Sequence, residues 1–168
     1  MPTVHPLDGT SLALGLEADE REAMRRLVAE MRTLLEAEVP AEDPVRARLF
    51  PRAYEDEGAQ NNYRDMIESE LEQAKKAALD TVARTLGDEA GDLEVALLPD
   101  EVQAWLRLLT DLRLSVGTRL DVTEEKMSAE IDPLDPDAVA YDVLNWLGWI
   151  QELMLRYLDP EKQRAEED

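Results

Sequence analysis

The sequence has no cysteine and only one histidine. Without cysteine, disulfides, thiolate metal sites, nucleophilic thiols and thiol redox switches are all excluded within these 168 residues. The single histidine, His5, lies near the start of the chain, where an exposed terminal side chain is the usual outcome. Neither residue type therefore points to an active site.

Basic residues are also scarce, with 18 Lys and Arg against 39 Asp and Glu and a formal net charge of −21. Nucleic-acid binding draws its affinity from cations that neutralise phosphates, so this balance disfavours direct DNA binding. Anionic membranes would repel the chain for the same reason. A basic protein surface would instead be attracted to it, although the charge could also serve solubility alone.

Long apolar runs are missing as well. No stretch approaches the ~20 apolar residues that span a bilayer, and the first residues do not have the pattern of a secretory signal. We therefore expect a cytoplasmic protein that does not bind membranes. The 44% hydrophobic content is sufficient for a core, and the length of 168 residues suggests one domain.

What is present is mostly helical periodicity, which predicts a mainly α fold. Residues 3–16 alternate apolar and small or polar residues around turn residues, so they are predicted to form a β-hairpin. Apolar residues at helical spacing predict helices over 18–37, 59–86, 99–120 and 137–158, with a shorter helix over 44–50. The acidic stretch 88–94 is predicted to be a loop. The prediction is a single-domain bundle of four main helices plus short ones over residues 1–158, followed by a disordered acidic tail over 159–168.

Motifs that would identify an enzyme are missing. The chain has no glycine-rich phosphate loop and no nucleophile elbow, and its acidic loops lack the ligand spacing of a calcium site. With 39 carboxylates, paired acids arise by chance. The arginines of the predicted 99–120 helix are not all on one side, which argues against a DNA-recognition helix. We therefore predict no catalytic residue, no metal ligand and no cofactor.

Polar residues within apolar stretches are the main candidates for a site. Arg113 and Arg119 lie in one such stretch, Asn145 and Glu152 lie in the last predicted helix, and Arg64 precedes Glu68 by four residues. These groups could form an internal network of arginines and carboxylates, as buried arginine requires. Alternatively, they could form a polar pocket between helices that receives an anionic ligand or the side chain of a partner.

Three ordered segments resemble a known family: Ala47-Arg-Leu-Phe-Pro-Arg-Ala-Tyr54, residues 109–120, and residues 141–152. They resemble an actinobacterial family of unknown function that includes the oxidative-stress transcription regulator AosR. The resemblance extends from the hairpin to the last helix and adds Tyr54 to the candidate binding residues. It implies a role in transcription together with an alternative sigma factor. Genes of this family often lie beside a proteolytic adaptor of the ClpS type and a cysteine-synthesis system.

The regulatory role in that family uses a nearby pair of cysteines that form a disulfide under oxidation. This chain has no cysteine, so that switch cannot be transferred to it. The sequence thus favours a non-enzymatic regulator that binds a protein partner with a basic surface, such as a sigma factor or a proteolytic adaptor. The alternative is a small-molecule binding protein or an enzyme that uses the Arg113 and Arg119 region.

The apolar arc of the last predicted helix, residues 137–158, is wide. This width indicates either the central helix of the fold or a helix shared with a second subunit in a homodimer.

Overall fold

A computed structural model describes residues 1–36, 43–50, 64–120 and 132–159, apart from the side chains of residues 64 and 65. Tyr54, the predicted helix start at residue 59 and the tail over 160–168 lie outside the described residues. The elements, in chain order, are β1 (Thr3–Pro6), β2 (Leu12–Leu16), α1 (Ala18–Glu36), α2 (Pro44–Leu49), a π-helical turn (Arg64–Glu68), α3 (Ser69–Leu86), β3 (Leu93–Leu97), α4 (Pro99–Leu120) and α5 (Ala138–Leu158). The prediction of a mainly α fold with an N-terminal hairpin is confirmed.

The strands form one antiparallel sheet in the order β1-β2-β3. Strands β1 and β2 are the predicted hairpin, and Gly9 in its turn has a φ of 67°, a conformation that glycine adopts without strain. Strand β3 was not predicted, because residues 88–94 were interpreted as a loop. Its residues Leu93 and Leu97 pair with Leu16 and Leu12, so β3 extends the hairpin to three strands.

Local hydrogen bonds explain where the helices begin and end. The Asp43 carboxylate accepts from the backbone N–H of Val45 at 2.9 Å and of Arg46 at 3.1 Å, which caps α2. Gly87 ends α3 with a φ of 63°, and its N–H donates to the Ala83 carbonyl at 3.2 Å. The predicted helix ends at residues 86, 120 and 158 agree with the structure.

The core lies between the sheet and the helices, with α4 at its centre. Helix α4 packs against α2, α3 and α5, while α5 packs against α4 and β1. Trp105 of α4 is fully buried, and its indole N–H donates to the Thr85 hydroxyl at 2.9 Å. The central helix is thus α4 and not the last helix, which keeps an exposed face. None of the helices in the described ranges is long and apolar enough to cross a bilayer.

Candidate functional site

Three of the predicted site residues lie around one shallow groove between α4 and α5. Arg113 of α4 and Asn145 and Glu152 of α5 line this groove of about 420 Å³. The Arg113 guanidinium donates to the Gln151 side-chain carbonyl at 2.8 Å and lies over Gly148. A Cβ at Gly148 would be 3.5 Å from that guanidinium, which is an ordinary van der Waals distance, so Arg113 packs directly on α5 at this position. We call this groove the α4–α5 groove.

A second groove adjoins it between α3, α4 and the end of α5. Its volume is about 790 Å³, and it shares Gln151 and Leu155 with the α4–α5 groove. Gln151 joins the two grooves, because its amide donates to the Thr110 hydroxyl at 2.7 Å while its carbonyl accepts from Arg113. Alanines from α3 and α4 line this second groove, namely Ala74, Ala77, Ala78 and Ala104.

Arg119 lies apart from Arg113, against α1. Its guanidinium is 4.0 Å from the Glu30 carboxylate, and both side chains are more than half exposed. Arg113 is also exposed, so neither arginine belongs to an internal ionic network. Glu152 as well as Arg113 lines the α4–α5 groove, which therefore does not offer a purely cationic environment to an anionic ligand.

Of the remaining candidates, Arg64 and Glu68, the structure describes the side chain of Glu68. Glu68 forms an ion pair with Arg46 of α2 at 2.5 Å, and both side chains are about one-fifth exposed. The Arg46 guanidinium also lies 4.8 Å from the centre of the Phe50 ring. The backbone of Arg64 belongs to the π-helical turn, while its side chain and all of Tyr54 lie outside the described residues.

The buried charged groups that the structure reveals were not predicted as candidates. Arg21 of α1 is 5% exposed and donates to backbone carbonyls, at 2.9 and 2.6 Å to Leu86, and at 3.3 Å each to Gly91 and Asp92. Arg25 donates to the carbonyls of Gly87 and Glu89. Two guanidinium groups thus hold the backbone of residues 86–92 against α1.

A second buried charge links two helices. Lys75 of α3 donates to the Asp111 carboxylate of α4 at 2.8 Å, and the two side chains are 11% and 7% exposed. The Lys75 ammonium is also 5.9 Å from the centre of the Phe50 ring. Both charges are paired, which is what burial of ionised groups requires.

The segment held by Arg21 gathers acidic side chains at one end of the molecule. The Asp92 carboxylate accepts from the Ala18 N–H at 2.9 Å, which joins the segment to the start of α1. The chain on either side of this junction carries seven exposed carboxylates, which we call the acidic end: Glu17, Asp19, Glu22, Asp88, Glu89, Asp92 and Glu94.

The amino group of Met1 lies at the acidic end. It forms an ion pair with Glu17 at 2.8 Å and another with Glu20 at 3.4 Å. The hydrogen bond to Glu17 is the main reason why the pKa of this amine is raised. Arg25 and Arg26 also form ion pairs with Glu22, at 3.5 and 3.7 Å, but the seven carboxylates still outnumber these cations. Across the described ranges, acidic and histidine side chains are nowhere grouped in threes that could hold a metal ion.

Comparison with known proteins finds a matching family model and several similar proteins that are named as regulators. The family model described as "Domain of unknown function (DUF2017)" matches residues 2–158. A Mycobacterium leprae protein with the AosR name is 28% identical over 161 residues, which cover 89% of this chain and 66% of that protein. Proteins named "Oxidative stress regulator AosR" from Mycobacterium bovis and Mycobacterium tuberculosis H37Rv are each 26% identical over 130 residues, or 69% of this chain and 58% of theirs.

The chain thus spans less than two thirds of the length of these relatives. No solved structure matches it.

Proposed function

The chain belongs to the DUF2017 family, and from that premise we propose that it is a non-enzymatic regulatory protein that binds a protein partner with a basic surface. The names of the mycobacterial relatives support regulation, because each is called an oxidative stress regulator. As part of the proposal, the protein acts in the cytoplasm, and its partner is a sigma factor or a proteolytic adaptor.

The acidic end is the observation on which the proposed partner depends. Its seven exposed carboxylates come from two segments of the chain that Arg21 and Arg25 hold together through backbone carbonyls. The positive charges of Arg21, Arg25, Arg26 and the Met1 amine offset only part of the seven carboxylate charges, so this end of the molecule stays negative. A fixed group of carboxylates attracts a basic surface and speeds the encounter with it.

Charge also argues against direct recognition of DNA as the mode of action. The net charge of −21 repels phosphates, and the exposed arginines of α4 face different neighbours. Arg113 bonds to α5, Arg119 lies near Glu30 of α1, and Arg107 lines the groove beside α3. A recognition helix would instead present its basic and amide side chains together to the major groove.

As part of the proposal, the input of this regulator is not the disulfide that the family resemblance implies. A disulfide requires two thiols, and these 168 residues contain none. We therefore propose that no thiol in this part of the protein senses oxidation, and that occupancy by the partner sets its activity.

The proposal is tested by measuring binding to purified sigma factors and to the ClpS-type adaptor of the same organism at about 50 and 500 mM salt. We expect one of these probes to bind and its affinity to fall steeply with salt, because charge drives the encounter. A variant with Asp19→Asn, Asp88→Asn, Glu89→Gln and Glu94→Gln should bind at least about tenfold more weakly.

A matched variant controls for net charge. It replaces four exposed carboxylates elsewhere with amides, at Glu30, Glu36, Glu70 and Asp100, and it should bind like the unmodified chain. The proposal fails if none of the probes binds, or if both variants weaken binding equally. Binding that is insensitive to salt would also contradict it.

A further inference from the structure

One face of α5 is accessible to solvent from Asp142 to Arg156. It comprises Asp142, Asn145, Trp149, Glu152 and Arg156, spaced by three or four residues so that they align on one side of the helix. Four of these side chains are exposed, and Arg156 is 37% exposed. From Asp142 to Arg156 the stripe is about 21 Å long at 1.5 Å per residue. We call it the α5 stripe.

Trp149 at the centre of the stripe differs from the other two tryptophans. The indole N–H of Trp105 donates to Thr85, and that of Trp146 donates to Glu20 at 3.3 Å. Trp149 is 38% exposed, and its N–H has no acceptor within the part of the chain that the structure describes. Exposed tryptophan is costly to leave in water and is typical of the centres of protein interfaces.

The polar residues of the stripe are also poorly paired. Asp142 and Asn145 make no side-chain hydrogen bond or ion pair to any described residue. Arg156 is 4.0 Å from Glu152, at the limit of an ion pair, and both lie on the surface. Polar side chains on both sides of Trp149 can therefore form hydrogen bonds or ion pairs with another molecule.

We propose that a second copy of this chain docks on the α5 stripe, with the two helices antiparallel and a two-fold axis at Trp149. Asp142 lies seven residues before Trp149 and Arg156 seven residues after it. In an antiparallel pair centred on Trp149, Asp142 of each copy therefore faces Arg156 of the other. The two tryptophans meet at the axis, and Asn145 comes within one residue of Glu152 of the second copy.

Two neighbouring registers of the antiparallel helix pair have less favourable charge contacts. Charge therefore favours the register centred on Trp149. A shift of four residues in one direction would place Asp142 opposite Glu152 of the second copy, two like charges at both ends of the interface. A shift of three residues in the other direction would place Arg156 opposite Asn145 and remove both ion pairs. The stripe is therefore self-complementary in one register, as a two-fold interface requires. This surface is distinct from the acidic end and goes beyond the function proposed above.

The test measures the mass of the full chain by light scattering and sedimentation at about 150 mM salt. We expect twice the chain mass of 19.0 kDa at micromolar concentrations. Asp142→Arg alone and Arg156→Asp alone each place like charges together twice per dimer, and each should weaken self-association roughly 100-fold. An equimolar mixture of these two variants should dimerise, because every facing pair is again opposite in charge.

Two charge changes away from the stripe are the controls. Asp19→Arg and Arg107→Asp, both at exposed positions, should leave the dimer intact. Trp149→Phe gives a second readout that does not depend on charge. Tryptophan emission should shift to shorter wavelength as the unmodified chain is concentrated, and this shift should be lost in Trp149→Phe.

A monomer at about 100 μM would overturn the proposal, whatever heterologous protein binds the chain. So would single variants that remain dimeric, or a mixture that stays monomeric although circular dichroism shows both variants folded. If a single variant does not fold, the concentration-dependent emission of Trp149 decides. Failure here leaves the acidic end untouched, since its test uses heterologous probes and substitutions at the other surface.

Discussion

At the scale of single residues, Arg21 is a charged side chain that is only 5% exposed. A buried guanidinium normally requires a carboxylate, but here backbone carbonyls of residues 86, 91 and 92 accept its hydrogen bonds. These carbonyls lie 65 to 71 residues away in sequence. Arg21 therefore connects the start of α1 with the segment between α3 and β3.

Replacing Arg21 with Ala should lower the free energy of unfolding by about 3 to 5 kcal/mol, because several buried carbonyls lose their donors and a cavity opens. Urea denaturation of the purified variant measures the change. Arg26→Ala is the matched control on the same helix, since Arg26 is 74% exposed and should cost less than about 1 kcal/mol. Equal losses of unfolding free energy in the two variants would show that the buried hydrogen bonds of Arg21 do not stabilise the fold.

The arginine that the structure shows as buried, Arg21, was not among the candidates from the sequence. Arg113 and Arg119 were candidates because leucines surround them, yet on α4 they fall on the exposed side. Arg21 stands among acidic residues in the sequence, between Glu20 and Glu22. Its position was detectable in one respect, because it is in helical register with the buried residues of α1, which are Met24, Val28, Met31 and Leu35. Its carbonyl partners could not be predicted, since backbone acceptors leave no pattern in a sequence.

At the scale of elements, helices were predicted better than strands. Pro99 and the acidic residues after it mark the start of α4, and Gly87 marks the end of α3. Strand β3 was missed although Leu93, Val95 and Leu97 alternate with Glu94 and Ala96. A five-residue alternation next to an acidic loop is weak on its own, and the pairing with β2 that stabilises it is a tertiary contact.

The packing of α3 on α4 includes the buried ion pair of Lys75 and Asp111, and a double-mutant cycle should show its coupling. Lys75→Met alone should cost about 3 kcal/mol of unfolding free energy, because it leaves a buried carboxylate unpaired. The double variant Lys75→Met/Asp111→Leu should be more stable than this single variant. Chemical denaturation of all four proteins tests this, and additive losses would argue against coupling.

In the candidate site too, the sequence predicts which residues share a helix face but not which helices meet. Asn145 and Glu152 are seven residues apart, so an α-helix places them on one face. This part of the site could be predicted from the spacing. That Arg113 joins them depends on how α4 crosses α5, which places its guanidinium over Gly148. Arg119, six residues further along α4, faces α1 instead. Sequence spacing gave the faces of the helices but not the contacts between them.

At the scale of the whole molecule, the charge of −21 was known from composition, but its distribution was not. The structure shows that part of it is concentrated where α1 begins and β3 follows α3. Self-repulsion at such a charge opposes the compact state, and salt screens it within about 10 Å at 0.1 M.

We therefore expect the melting temperature to rise by a few degrees between about 20 and 200 mM sodium chloride. Differential scanning calorimetry measures this shift. The variant with four amides at the acidic end should show a smaller rise, because less repulsion remains to be screened. A melting temperature that falls with salt would indicate that ion pairs, such as those of Arg46 and Lys75, outweigh the repulsion.

The way in which Arg21 and Arg25 hold residues 86–92 has a consequence for how such a protein could change over generations. Both arginines bind main-chain oxygens, which every amino acid supplies equally. The side chains of Asp88 and Glu89 can therefore be exchanged without loosening the segment, provided that Gly87 and Gly91 keep their left-handed conformations. Substitutions at this surface can thus change which partner binds while the backbone beneath it keeps its conformation.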